Sequence, residues 1–266
     1  MSGNLSSSGS EPSIAPAPSG GRWRALCRLV AVALHIVRGL CIVYLRLPGM
    51  SRQQRHAQVQ QWSAELVRRC GVSLQVCGQL ASPSNGAGLL LVANHISWLD
   101  IEALVCFCRF VAKSEVGQWP VVGTLANSAE TIYLQRTSRR DTVRVLDGIS
   151  SSLQAGDVVA VFPEGTTSDG RTLLPFYANL LQAPIDAHAA VQPVALQFFD
   201  QAGRISLSPC YIGDDTLLAS IWRTLRAQGL VVRVTFGAAQ LPAGRTRQQL
   251  AQAMQDAVGQ MLAPPG

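Results

Sequence analysis

The chain has 266 residues, enough for one α/β domain of ordinary to large size or a domain with an appendage. Apolar residues make up 48% and charged residues 14%, the net charge is +6 and the mean hydropathy is +0.20. That is more apolar content than a soluble domain of this charge carries, so the surplus has to be buried in a partner or a membrane. Between Gly21 and Cys70 there are nine arginines and a single acidic residue, Glu65. Such a local excess suits an anionic surface. Aromatics are only 6% and no nucleic-acid-binding motif is present, so a membrane is expected and nucleic acid is not. The seven cysteines contain one CxC, Cys106 and Cys108, and no second Cys/His pair at zinc spacing. Reduced thiols on a cytosolic face, and no metal, are the expectation.

In chain order, residues 1–21 are a Ser/Gly/Pro-rich tail of the disordered type, without the form of a secretory signal. From Trp23 to Leu47 runs "WRALCRLVAVALHIVRGLCIVYLRL", long enough to cross a bilayer. On a helical wheel Arg24, Arg28, His35, Arg38 and Arg46 fall within an arc of about 80°. A stripe that narrow predicts a helix lying in the membrane interface, basic edge toward the headgroups, because an arginine as central as Arg38 is costly to bury in hydrocarbon. Pro48-Gly49 ends this helix and Ser51 is placed to cap a second, with Val59, Trp62, Leu66, Val67 and Cys70 on one face. Residues 22–70 therefore read as a membrane-associated two-helix segment.

From residue 71 to 262 strands and helices alternate. Strands are expected at 72–76, 89–93, 110–114, 131–136, 191–199, 204–209 and 230–237, and over 157–165 a strand running into a loop. Helices are expected at 98–109, 119–129, 139–156, 177–189, 217–227 and 246–262. The fold class is α/β, a mixed, largely parallel sheet flanked by helices and preceded by the helical hairpin. Chemistry in such sheets sits at the carboxyl ends of strands.

Four stretches carry candidate chemistry. In "NHISWLD", His95 and Asp100 are five residues apart, which in an unbroken helix points them about 140° from each other. They meet only if His95 lies in a turn and Asp100 in the helix behind it. An aspartate on one imidazole nitrogen fixes the tautomer and makes the other a general base. In "FPEGTTSDG", Gly165 frees backbone amides to approach a ligand, and Thr166 and Thr167 supply hydroxyls. "TIYLQR" ends at Arg136, a guanidinium able to grip a phosphate. "VQPVAL" has Pro193 inside a strand, which marks an edge or a bulge.

In this order the four stretches resemble the blocks of the glycerolipid acyltransferases of the 1-acylglycerol-3-phosphate acyltransferase family, over about Arg22 to Leu250, and the hairpin is similar to that family's two-helix membrane motif. The resemblance implies a direct acyl transfer. His95 takes the proton from the free sn-2 hydroxyl of 1-acylglycerol-3-phosphate, and the oxygen attacks the thioester of acyl-CoA or acyl-carrier protein, giving phosphatidic acid. Asp100 orients His95, while Arg136, Lys113 and the loop Glu164, Gly165, Thr166 and Thr167 hold the acceptor. Glu164, a carboxylate, is suited to orient Arg136 or loop amides rather than to face phosphate. No cofactor beyond the thioester donor is implied. Arginine and alanine usage has a bacterial character, which places the site on the cytoplasmic face of the inner membrane.

The chain departs from the family blocks at Thr167, where arginine is frequent, and at Glu130 and Gln135, where glycine and an acidic residue are usual. These changes leave acyl transfer intact and open the acceptor to another lysolipid, such as a lyso-ornithine lipid, with Arg171 as a replacement guanidinium. Two other classes compete: a hydrolase using Ser97 or a cysteine, for which no GxSxG elbow is present, and a non-catalytic lipid-binding protein.

Overall fold

A computed structural model of the protein describes residues 21–83, 86–113, 117, 121–128, 132–134 and 139–262. The tail at 1–20 lies outside them, as does Arg136. Helix α1 spans Gly21–Leu45 and α2 spans Arg52–Arg69, joined by a 3-10 turn at Leu47–Gly49. Ser51 caps α2 in a full capping box with Gln54, so the predicted break and start are both present.

The strands are β1 (Val72–Cys77), β2 (Leu89–Ala93), β3 (Arg109–Lys113), β4 (Ile132–Leu134), β5 (Val158–Val161), β6 (Ala190–Phe199) and β7 (Leu230–Phe236). They form one sheet in the order β1-β7-β6-β2-β5-β3-β4, and only the β6–β7 pairing is antiparallel. The helices between them are α3 (Leu99–Val105), α4 (Val122–Ser128), α5 (Arg139–Gln154), α6 (Gln182–Asp186), α7 (Leu217–Arg226) and α8 (Arg247–Leu262). The mixed, largely parallel sheet is as the sequence predicts.

β2 is the central strand, and both its faces are buried. Leu89, Leu91 and Ala93 join the core under α1, α2, α3 and α7; Leu90 and Val92 join the core under α5, α6 and α8. Its unbroken apolar run follows from this double cover. Ala25 of α1 and Leu66 and Val67 of α2 belong to the first core, so the hairpin shares its interior with the sheet.

Three expectations need correction. The segment 204–209 is not a strand: Ile205 makes a single bridge to Phe199, and the chain then turns at Leu207–Cys210. That turn brings Tyr211 against Ile96, which a continued strand would not. The helix expected over 177–189 is a 3-10 turn at Ala178–Leu181 followed by the short α6, because Pro184 lacks an N–H and fits only in a first turn.

The third correction concerns α1, whose basic stripe faces the protein at Arg24, Arg28, His35 and Arg38, while Arg46 just past its end is exposed. Arg24 donates to the Arg226 carbonyl, and Arg28 donates to the carbonyls of Leu225 at 2.9 Å and Ala227 at 2.6 Å. These carbonyls end α7 and lack intrahelical partners, so guanidiniums from another element satisfy them. His35 is buried against Trp62, and Arg38 pairs with Glu65 of α2. Gly39 lets the two helices close up, since a Cβ there would meet the Trp62 ring nitrogen at 2.7 Å. The outward face of α1 is apolar: Trp23, Leu26, Leu29, Val30, Leu34, Val37, Tyr44 and Leu45 are exposed. Among the described residues α1 is the one helix long and apolar enough to cross a membrane, and its exposed side suits membrane association through apolar contact.

Pro193 lies in a central strand, and it does mark a bulge. β6 and β7 pair Val194 with Phe236, whereas Val191 pairs with Gln240. Three residues, 237–239, therefore oppose two, 192–193, and the slip falls where proline cannot donate.

Candidate active site

β2 and β5 are parallel neighbours with Val92 opposite Val161. Their exits therefore lie side by side, and the loop after β2 carries His95 while the loop after β5 carries Phe162 and Glu164. Asn94 extends β2 by one step. Its side chain donates to the Leu196 carbonyl at 3.0 Å and accepts from the Leu196 N–H at 2.7 Å. The chain then leaves the sheet in a turn, and Asp100 enters at the second residue of α3. This is the bend that residues five apart require.

His95 Nδ1 lies 2.9 Å from Asp100 Oδ2. The same oxygen accepts the N–H of Ile96 at 2.5 Å and of Ser97 at 2.8 Å. Asp100 has no exposed surface, and these three donors stabilise its charge in place of water. With Nδ1–H given to the carboxylate, Nε2 is the imidazole nitrogen left to act on a substrate. The His95 side chain keeps 17% of its surface exposed. Its ring stacks on Phe162 with centroids 3.9 Å apart and planes at 8°, so carboxylate and aromatic together fix its orientation.

Glu164 works from beneath the loops. One oxygen accepts the His95 N–H at 2.7 Å and the other the Leu174 N–H at 3.0 Å. Only 2% of its surface is exposed, and burial pushes its carboxyl up to about 7, against the two amide hydrogen bonds. The structure thus gives Glu164 loop amides to hold rather than a ligand. Gly165 adopts φ 71°, the left-handed conformation glycine tolerates. Thr166 is exposed at the loop tip, and Thr167 Oγ1 donates to the Tyr211 carbonyl. The Ser168 N–H closes the loop on the His95 carbonyl at 2.8 Å. Lys113 is the last residue of β3, paired in register with Leu134 of β4. Arg171 is exposed just past the loop.

Three residues near His95 have structural roles that sequence reasoning did not assign: Asn94, Phe162 and Ser168. Asn94 was visible only as part of "NHISWLD", and Phe162 only as the end of an apolar strand.

The arrangement disfavours a nucleophile. Ser97 is fully buried and its hydroxyl accepts the Leu99 N–H. Burial pushes the Cys70, Cys106 and Cys210 thiols up to about 12 and raises Cys108 as well, which removes the reactive thiolate. Among the described residues no group of three or more His, Cys, Asp or Glu is placed to hold a metal ion.

An acyltransferase family model matches residues 73–197, which take in both loops. A 1-acyl-sn-glycerol-3-phosphate acyltransferase of Neisseria meningitidis serogroup B is 36% identical over 217 residues, covering 81% of this chain and 82% of that protein. The chain belongs to the acyltransferase family. It is also similar to a lyso-ornithine lipid O-acyltransferase of Pseudomonas aeruginosa, 33% identical over 240 residues, covering 89% of this chain and 90% of that one. The fold matches the crystal structure of the 1-acyl-sn-glycerophosphate acyltransferase of Thermotoga maritima with a TM-score of 0.67 and 17% identity, over 91% of this chain and 96% of that one. The protein is therefore an O-acyltransferase of lipid biosynthesis.

Proposed function

We propose that the protein transfers a fatty acyl group from an acyl thioester to the sn-2 hydroxyl of 1-acylglycerol-3-phosphate, forming phosphatidic acid. The observation that carries this is the His95–Asp100 pair, held at 2.9 Å through Nδ1 on a histidine whose side chain is 17% exposed. His95 Nε2 removes the hydroxyl proton as the oxygen attacks the thioester carbonyl. The C–S bond breaks and the thiol of acyl-CoA or acyl-carrier protein leaves, taking a proton from the imidazolium. Asp100 holds the tautomer and stabilises the cation. No acyl-enzyme forms. Gly165, Thr166, Thr167, Lys113 and Arg136 are the proposed acceptor site, and the inner membrane, cytoplasmic side, is the proposed location.

A second acceptor is favoured by one observation. The relative named for lyso-ornithine lipid matches 89% of this chain at 33% identity, against 81% at 36% identity for the relative named for the glycerophosphate. A thiol-release assay with acyl-CoA and each lysolipid offered separately tests the acceptor. Release with lysophosphatidate supports the phosphate site, whereas release with the ornithine lipid alone removes it and keeps His95 and Asp100. Wild-type protein that releases thiol with neither acceptor, from acyl-CoA or acyl-carrier protein, contradicts the proposal.

A further inference from the structure

Tyr211 and Ile212, in the loop before α7, are 36% and 38% exposed, and Leu218 and Trp222 of α7 are 77% and 37% exposed. Leu218 and Trp222 are one turn apart on a single face. Along the same side of α7 the next turn, at Leu225 and Arg226, is covered by α1. Gly21 packs on Arg226, and Arg24 and Arg28 bond the carbonyls there. The apolar strip on α7 thus runs up to the start of α1, where Trp23, Leu26, Leu29 and Val30 are themselves exposed. At its other end the strip reaches the catalytic turn. The Tyr211 N–H donates to the Ile96 carbonyl at 3.2 Å, and the Tyr211 carbonyl accepts from Thr167.

The chemistry of the strip selects one partner. Tryptophan and tyrosine with neighbouring aliphatics suit the headgroup–acyl boundary of a bilayer. Charge on the strip is largely cancelled, since Arg223 is tied to Asp215 at 2.6 Å and to the Cys210 carbonyl. Asp214 is exposed, so anionic headgroups gain nothing from this patch. We propose that Tyr211, Ile212, Leu218 and Trp222 form a second bilayer contact, seated in the same lipid surface that takes the outer face of α1. This rests on the membrane reading of α1. The contact holds the loop at 211–212 in the lipid interface, so a lysolipid reaches His95 without crossing water.

Tryptophan emission of the full chain in phosphatidylcholine vesicles tests the contact, with the lipid chains brominated or unbrominated. The emission lost on bromination should be smaller for Trp222→Phe than for wild type, because Trp222 contributes to it. An equal loss in both proteins would place Trp222 in water and overturn the proposal. Leu218→Glu gives the functional arm, which rests on the acyl-transfer reading. Turnover should fall about tenfold with a long-chain lysolipid in vesicles and stay unchanged with a short-chain acceptor dissolved in water. An equal fall with both acceptors, or no fall with either, overturns it. The quenching arm needs no turnover, so failure of the acyl-transfer reading, seen as an inactive wild type, is distinguishable from failure of the contact.

Discussion

The molecule contains two histidines built into nearly the same surroundings. His35 and His95 each stack on an aromatic ring, Trp62 at 4.7 Å and Phe162 at 3.9 Å. Each also has Nδ1 near a carboxylate, Glu65 at 3.7 Å and Asp100 at 2.9 Å. They differ in what remains. His35 has no exposed side-chain surface and its Nε2 is 3.0 Å from the Trp62 carbonyl. That nitrogen is committed to holding α1 on α2. His95, at the ends of β2 and β5, keeps 17% of its side-chain surface exposed. On the proposed mechanism, a histidine–carboxylate pair is structural or catalytic according to whether the second nitrogen is used inside the fold.

The comparison breaks if the two histidines respond alike to removal. His95→Ala should lower kcat by about 10³-fold while the protein still folds and sediments with membranes. Asp100→Asn should lower kcat by about 10²-fold, since the amide loses the charge that stabilises the imidazolium; circular dichroism should show the fold retained. Glu164→Gln should lower turnover by about tenfold, because its effect on His95 runs through the backbone N–H.

Glu164 also carries a pH signature. Its carboxyl is raised from 4.5 to about 7 in the folded chain, so the folded state holds this proton more tightly than the unfolded chain does. Its contribution to stability is then fully present below about pH 4.5 and is lost as pH rises through about 7. Thermal melts of wild type should fall relative to Glu164→Gln across that window, and parallel curves would refute the assignment. His35→Ala should have the smallest catalytic effect, with kcat unchanged and stability down by about 2 kcal/mol in denaturant unfolding.

Much of this fold is written in local patterns. The apolar run of β2, the Ser51 cap and the bulge at Pro193 each follow from a propensity or a missing donor, which act over a few residues. The turn joining His95 to Asp100 was deducible because five-residue spacing forbids the pair within a helix. The direction of the arginine stripe was not deducible from the wheel. A wheel groups Arg24, Arg28, His35 and Arg38 on one side, but their partners include carbonyls at 225–227, about 200 residues away in sequence. Glu164 was legible as a holder of loop amides, but its contact with His95, like that of Phe162, was hidden for the same reason, since both reach His95 only because β5 pairs with β2. Lys113 is placed only by its strand register, and Arg136 lies outside the described residues.

The most direct test of the central claim is a single-turnover measurement of thiol release, with intact-mass detection of the protein, for wild type and His95→Ala with and without acceptor. Wild type should release thiol only when a lysolipid hydroxyl is present, with no acyl mass on the protein, and His95→Ala should release it about 10³-fold more slowly. Thiol release before acceptor is added, with an acyl adduct on the chain, or undiminished release by His95→Ala, would contradict direct transfer driven by His95.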